Sequence, residues 1–201
     1  MKISLLDYGA GNATSVERAL RRLGANPERS NSPESITNAE AIILPGVGHY
    51  SALIRALDKQ NLRPALLDAL DRAVPFLGIC LGLQALYETS AESPGLSGLH
   101  LLTGTVSSLP ATVKLPHMGW NQLKLTHPSR LLEGISPDAY FYFAHSFAAT
   151  HANGEVVALC TYGADFAAVI EKQNIFAVQF HPEKSGDAGA RLLQNFLRLA
   201  A

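Results

Sequence analysis

The sequence predicts an α/β fold: a mostly parallel central sheet with helices on both faces and an antiparallel extension. Short apolar runs alternate with helix-period segments through the first half, the pattern of strands joined by crossover helices. The second half carries strand-like runs separated by Gly, Pro and Asn, which suits added antiparallel strands. Nothing in the 201 residues repeats or thins into a linker, so residues 1–201 are expected to form one domain.

ISLLDY (3–8) reads as the first strand. Asn12 then caps a helix whose Val16, Ala19, Leu20 and Leu23 recur at helical spacing until Gly24 stops it. AIILPG (41–46) is the second strand, helical segments follow around 51–72, and PFLGIC (75–80) is the third strand. After Cys80, the residues Leu81, Leu83, Leu86 and Tyr87 predict the start of another helix. LHLLTGTV, AYFYFAHSF, EVVALCTY, AAVIEK and NIFAVQF are expected to extend the sheet, and a helix over about 187–199 closes the chain.

Composition narrows the function. Sixteen Lys+Arg against seventeen Asp+Glu give a net charge of −1 with no basic tract, which argues against nucleic-acid or anionic-membrane binding. No uncharged apolar run reaches the ~18 to 20 residues that a membrane-spanning helix needs. Cys80 and Cys160 both sit in apolar, strand-like settings, and no signal peptide is legible, so a reducing cytoplasm is expected. Charged residues are only 16% of the chain and hydrophobic ones 47%, which leaves apolar surface for a partner to cover.

Gly78-Ile79-Cys80-Leu81-Gly82 has the spacing of a nucleophile elbow with cysteine at its centre. The glycines let strand and following segment approach closely, and the first amides after Cys80 can stabilise negative charge on sulfur or on an oxyanion. A lone cysteine in an apolar run is more often a packing residue. The far end of the chain changes that balance. NIFAVQFHPEK is a strand running out at His181-Pro182-Glu183, and Pro182 biases His181 to an extended backbone. Extended residues two apart point the same way, so Glu183 can orient His181, and His181 can serve Cys80 as base and the leaving amine as acid. Gly46, Val47 and Gly48 end a parallel strand where open α/β sheets bind ligands, and their amides can complete an oxyanion hole.

Two other chemistries fail. Gly9-Ala10-Gly11-Asn12 lacks the third glycine of a dinucleotide loop, and the seven histidines have no metal-ligand spacing, so neither a cofactor nor a metal is expected. Cys160 is expected in the core, and His100, His127 and His151 at surface turns.

With these residues in hand, the chain resembles the class I glutamine amidotransferases and, within them, the glutaminase subunits of imidazole glycerol phosphate synthases. GICLGLQ and FHPE carry the likeness to the class. DYGAGN with SVERALRRLG, PHMGWN, YFYFAHSF and EKSGDAGARLLQNF carry the likeness to the subunit. The resemblance implies a Cys80, His181, Glu183 triad, with Gly46, Val47, Gly48 and Leu81 around the oxyanion. It implies that Gln84, Glu92 and the backbone of His145, Ser146 and Phe147 hold glutamine. It further implies a (β/α)8-barrel cyclase partner that receives ammonia, met by Asn12, Arg18, His117, Met118, Gly119, Trp120, Asn121, Tyr142 and Lys184. Subunits serving chorismate-derived pathways usually continue HPES, whereas this chain has HPEKSG and also PHMGWN. A non-catalytic protein of similar architecture would have no need to keep His181, Glu183 and Gln84 together.

Overall fold

A computed structural model describes residues 1–9, 12–149 and 154–201. Ala10 and Gly11 of the first loop, and His151, expected at a surface turn, lie outside the described residues. The order begins β1 (Ile3–Leu6), α1 (Ala13–Arg22), β2 (Glu28–Ser30), α2 (Pro33–Thr37), β3 (Ala41–Gly46), α3 (Tyr50–Lys59), α4 (Leu62–Asp71) and β4 (Phe76–Cys80). It continues through α5 (Leu81–Gln84), β5 (Tyr87–Ser90), β6 (Leu102–Ser108), β7 (His117–Gln122), β8 (Lys124–Leu125), β9 (Tyr140–His145) and β10 (Phe147–Ala149). Strands β11 (Val156–Tyr162), β12 (Ala164–Lys172) and β13 (Ile175–Val178), a 3-10 turn at Pro182–Lys184 and α6 (Gly186–Leu199) complete it.

The main sheet has eight strands in the order β2-β1-β3-β4-β13-β12-β11-β8. Pairing is parallel from β2 to β13 and antiparallel from β12 outwards, as the sequence predicts. Both faces are covered because strand residues alternate. Ile42 and Leu44 point into a cluster with Leu53, Leu57 and Leu66 of α3 and α4. Ala41 and Ile43 point into a second cluster with Val16 and Leu20 of α1 and with Leu192, Leu193 and Phe196 of α6. Among the described residues no helix is long and apolar enough to cross a membrane.

Three expectations need correction. The helix after Cys80 is one turn long, because Tyr87 leaves it to pair with Leu102 in a small sheet of β10, β6 and β5. LHLLTGTV and AYFYFAHSF do not extend the main sheet: β6 joins that small sheet, and β9 pairs only with β7. AYFYFAHSF also breaks at Ser146, so β9 and its continuation β10 serve different sheets. The elements β2, α2, β5, β7 and β8, most of them short, are additions to the predicted set.

Candidate active site

Strand register brings the site together. Gly46 at the end of β3 is the Cα partner of Cys80 at the end of β4. On the other side of β4, Val178 pairs with Ile79, so the chain running on from β13 passes Cys80 with Gln179 and reaches His181 two residues later. Three parallel strands therefore deliver the oxyanion loop, the sulfur and the imidazole to one sheet edge.

Cys80 has φ 55 and ψ −105, a left-handed conformation in which a non-glycine residue is strained. The flanking glycines make that turn fit. A Cβ on Gly82 would meet the Leu44 carbonyl oxygen at 2.0 Å, and one on Gly78 would meet the Gly82 oxygen at 2.7 Å. With α5 only one turn long, its macrodipole is small.

His181 is buried, and its Nδ1 lies 2.9 Å from a Glu183 carboxylate oxygen. Burial alone would lower the imidazole pKa, but hydrogen bonds to Cys80 and Glu183, with the charges of both, outweigh it and raise it to about 10. This favours the imidazolium form of His181 beside the sulfur. Asn12 occupies the N-cap position of α1 but makes no capping bond; its Nδ2 donates to the same Glu183 oxygen at 3.3 Å. The resemblance puts Asn12 at a partner surface. In the chain alone it is buried and bonded to Glu183 rather than presented at the surface.

A cavity of about 170 Å³ opens over these groups, lined by Val47, Gly48, Cys80, Leu81, Gln84, Glu92, His145, Ser146, Phe147, His181 and Lys184, together with Ala144. A larger open depression of about 900 Å³ near Glu17, Arg21 and Glu28 lies at the first edge of the sheet, away from Cys80. Gln84 donates from Nε2 to the Phe147 carbonyl at 2.8 Å, while its buried Oε1 is left without a partner. Glu92 accepts the Tyr50 amide at 2.7 Å with one oxygen, which fixes its carboxylate beside the Gly48 turn. His49 caps α3 through its side chain, and Tyr50 is fully buried behind it.

The expected partner residues divide into two sets. Met118 and Trp120 are 65% and 55% exposed on β7, and Trp120 packs edge-on against Tyr142 of β9 at 6.0 Å. Lys184 is exposed and places its ammonium 5.5 Å from the Tyr142 ring centre, while Arg18 is exposed on α1. Gly119 is half-buried, with φ 144. His117 points inwards instead, stacked on Tyr162 and Phe143, and Asn121 is half-buried next to it.

Two residues escaped the sequence reading. Gln179, fully buried, donates to Cys80 Sγ at 3.5 Å. Its signal was available: it is the one polar side chain between Ile175 and Phe180, and a polar group inside a buried strand needs a partner. Tyr8 places a buried hydroxyl against the Val47 amide without meeting hydrogen-bond geometry, and 3.1 Å from the point a Gly46 Cβ would occupy. Burial raises its pKa, so the hydroxyl is neutral.

A strained cysteine on a strand-to-helix elbow, faced by a histidine that a carboxylate orients, defines a thiol-dependent amidase class. The class-I glutamine amidotransferase family model matches residues 4–200, and the chain belongs to that family. It is 47% identical to the "Imidazole glycerol phosphate synthase subunit HisH" of Methanothermobacter thermautotrophicus, over 98% of each chain. It is also 47% identical to the protein of the same name from Moorella thermoacetica, over 96% of this chain and 93% of that one. A solved glutamine amidotransferase superposes with a TM-score of 0.79 at 20% identity, covering 100% of this chain and 99% of that one. At that identity the likeness speaks for the fold alone.

Proposed function

We propose that this chain is the glutaminase subunit of an imidazole glycerol phosphate synthase, hydrolysing glutamine and passing the ammonia to a cyclase in histidine biosynthesis. The observation that carries the reading is one cavity holding Cys80, His181, Gln84 and the Glu92 carboxylate together. Glu92 suits the α-ammonium of an amino acid, Gln84 offers an unpartnered acceptor, and Cys80 waits for the side-chain amide. The names of the relatives support the assignment to this subunit.

The Cys80 sulfur attacks the amide carbon, and the oxygen takes the electron pair. The negative oxygen is met by amides of the Gly46 to Gly48 loop and of Leu81. His181 gives its proton to the departing nitrogen, releasing ammonia and leaving a γ-glutamyl thioester. It then takes a proton from water as the water attacks the thioester. Glutamate leaves, and the thiol is restored. The backbone of His145 to Phe147 lines the opposite wall of the same cavity.

The partner in this reading is a (β/α)8-barrel cyclase docked on the face of Met118, Trp120 and Tyr142, with Arg18 and Lys184 flanking it. Two exposed apolar side chains beside a cavity rim support that face. Ammonia would pass by Tyr142 without entering bulk water, where it would be protonated and lose its nucleophilicity. The 201 residues act as one domain in the cytoplasm. Glutamate release should be measured with and without the cyclase and its ribulotide substrate. Turnover that rises with the loaded cyclase supports the assignment, and no glutamine turnover under either condition defeats it.

A further inference from the structure

The hydrogen bonds behind Cys80 form a chain whose direction is fixed at every link. The Phe147 carbonyl can only accept. It is met by Gln84 Nε2 at 2.8 Å and by His145 Nδ1 at 2.9 Å, so both of those nitrogens carry hydrogen. Because Gln84 points its NH2 group inwards, that group's second hydrogen meets Gln179 Oε1 at 3.1 Å. Gln179 must therefore turn its own NH2 towards Cys80 Sγ, 3.5 Å away. Flipping Gln84 would set its oxygen against the Phe147 oxygen, and flipping Gln179 would set its NH2 against that of Gln84.

The same logic runs outwards from His145. Burial holds its pKa down to about 3, so the ring is neutral and its Nε2 is bare. That atom accepts from His117 Nδ1 at 3.2 Å. Burial holds His117 neutral as well, at about 4, and its own Nε2 lies 3.5 Å from Asn121 Nδ2. Asn121 is oriented in turn, since the same nitrogen donates to the Thr161 carbonyl at 3.1 Å.

We propose that Gln179 is the N–H donor that holds the Cys80 sulfur and stabilises its anionic form, with its orientation set by Gln84 and by the His145 and His117 pair behind the Phe147 carbonyl. The proposal rests on Cys80 being the nucleophile of the reaction above. His181 faces the sulfur from the turn after β13, Tyr8 lies near it, and Glu92, His145 and Lys184 line the same cavity. Gln179 reaches the sulfur with its side chain fully buried. A donor there keeps the sulfur on its elbow and leaves the imidazole free to move its proton.

Alkylation of Cys80 by iodoacetamide, followed by peptide mass spectrometry across pH in the full chain, tests this directly. Gln179→Glu keeps the acceptor for Gln84 and removes the donor to sulfur; Gln179→Met keeps the length and removes both. Either variant should slow alkylation about tenfold at pH 7, the loss of one hydrogen bond to a charged group. Rate profiles that superimpose on the unsubstituted protein would overturn the role. A second measurement needs no variant: nitrogen-15 NMR should find hydrogen on Nδ1 and none on Nε2 of both His117 and His145 from pH 5 to 8. Hydrogen on His145 Nε2, or titration of either ring near pH 6.5, defeats the orienting chain. Glutamine turnover by the unsubstituted complex is read in parallel. Turnover with unshifted alkylation sinks the Gln179 proposal alone, and shifted alkylation without turnover sinks the glutaminase reading alone.

Discussion

The backbone of Tyr142 is held at both of its polar groups by the turn that carries His181. The His181 amide donates to the Tyr142 carbonyl at 2.8 Å. The Tyr142 amide donates to Ser185 Oγ at 3.0 Å, and that hydroxyl donates onward to the His181 carbonyl at 2.7 Å. Strand β9, which bears the proposed partner face, is thereby locked to the catalytic histidine.

Ser185→Ala should loosen this lock. Ser185 is 2% exposed, so its loss strands a buried N–H on Tyr142, while the His181 carbonyl keeps the Lys184 amide. Leaving a buried group unsatisfied costs about 1–3 kcal/mol, which urea unfolding would detect. Glutamine turnover in the complex should fall with it. A variant as stable and as active as the unsubstituted protein would show the lock to be idle.

His181→Ala should cost more activity than Glu183→Ala. His181 moves the proton, worth about 10²- to 10⁴-fold, whereas Glu183 orients and charges it from 2.9 Å. Ammonia-dependent synthesis by the complex should survive both, because that chemistry belongs to the cyclase. Equal losses in glutamine turnover would contradict these roles.

Acid should destabilise the fold before it protonates the buried pair. Unfolded histidines take a proton near pH 6.5, while His117 resists to about 4 and His145 to about 3. Between those values the unfolded chain binds more protons than the folded one, so stability present above pH 6.5 is lost as pH falls. His181 works in the opposite sense, its contribution being present below pH 6.5 and lost as pH rises through about 10. His117→Gln should remove about half of the acid-side dependence, read as the urea midpoint from pH 6.5 to 4. An unchanged slope would mean that the rings titrate normally.

An electrophilic glutamine analogue should label Cys80 and spare Cys160. Cys80 lines the cavity, whereas Cys160 is 1% exposed, and burial pushes its thiol up to about 12. Peptide mapping that found the label on Cys160 would reverse the assignment of the nucleophile.

Much of this site was readable without coordinates because the relevant signals are local. The glycines around Cys80 and the two-residue spacing of His181 and Glu183 are properties of short stretches, and β3, β4, α1 and α6 follow hydrophobic periodicity closely. What was missed depends on tertiary partners. Tyr87 fits a helix or a strand, and only pairing with β6 decides for strand. PHMGWN has little strand propensity around Gly119, and it becomes β7 because β9 lies alongside it. Asn12 had a local role available as a cap, and a carboxylate 171 positions away took its side chain.

Tyr8→Phe should raise the resting glutaminase rate of the isolated chain. The Tyr8 hydroxyl lies against the Val47 amide, one of the groups expected to stabilise the oxyanion, and would compete with the oxyanion for it. A missing oxyanion donor costs about 2.7–4 kcal/mol, or 10²- to 10³-fold in rate. The hydroxyl contact does not meet hydrogen-bond geometry, so it is worth less than about 1.5 kcal/mol, the upper end for a neutral hydrogen bond. Deleting it should therefore lift the basal rate by about two- to tenfold, well short of full activation, while Gly48 at φ 94 still lets the loop turn. The rate in the presence of loaded cyclase should stay nearly constant, so the fold-stimulation shrinks. Glutamate release by the isolated variant decides it: a basal rate equal to or below that of the unsubstituted chain, with stimulation intact, would show that Tyr8 does not restrain the loop.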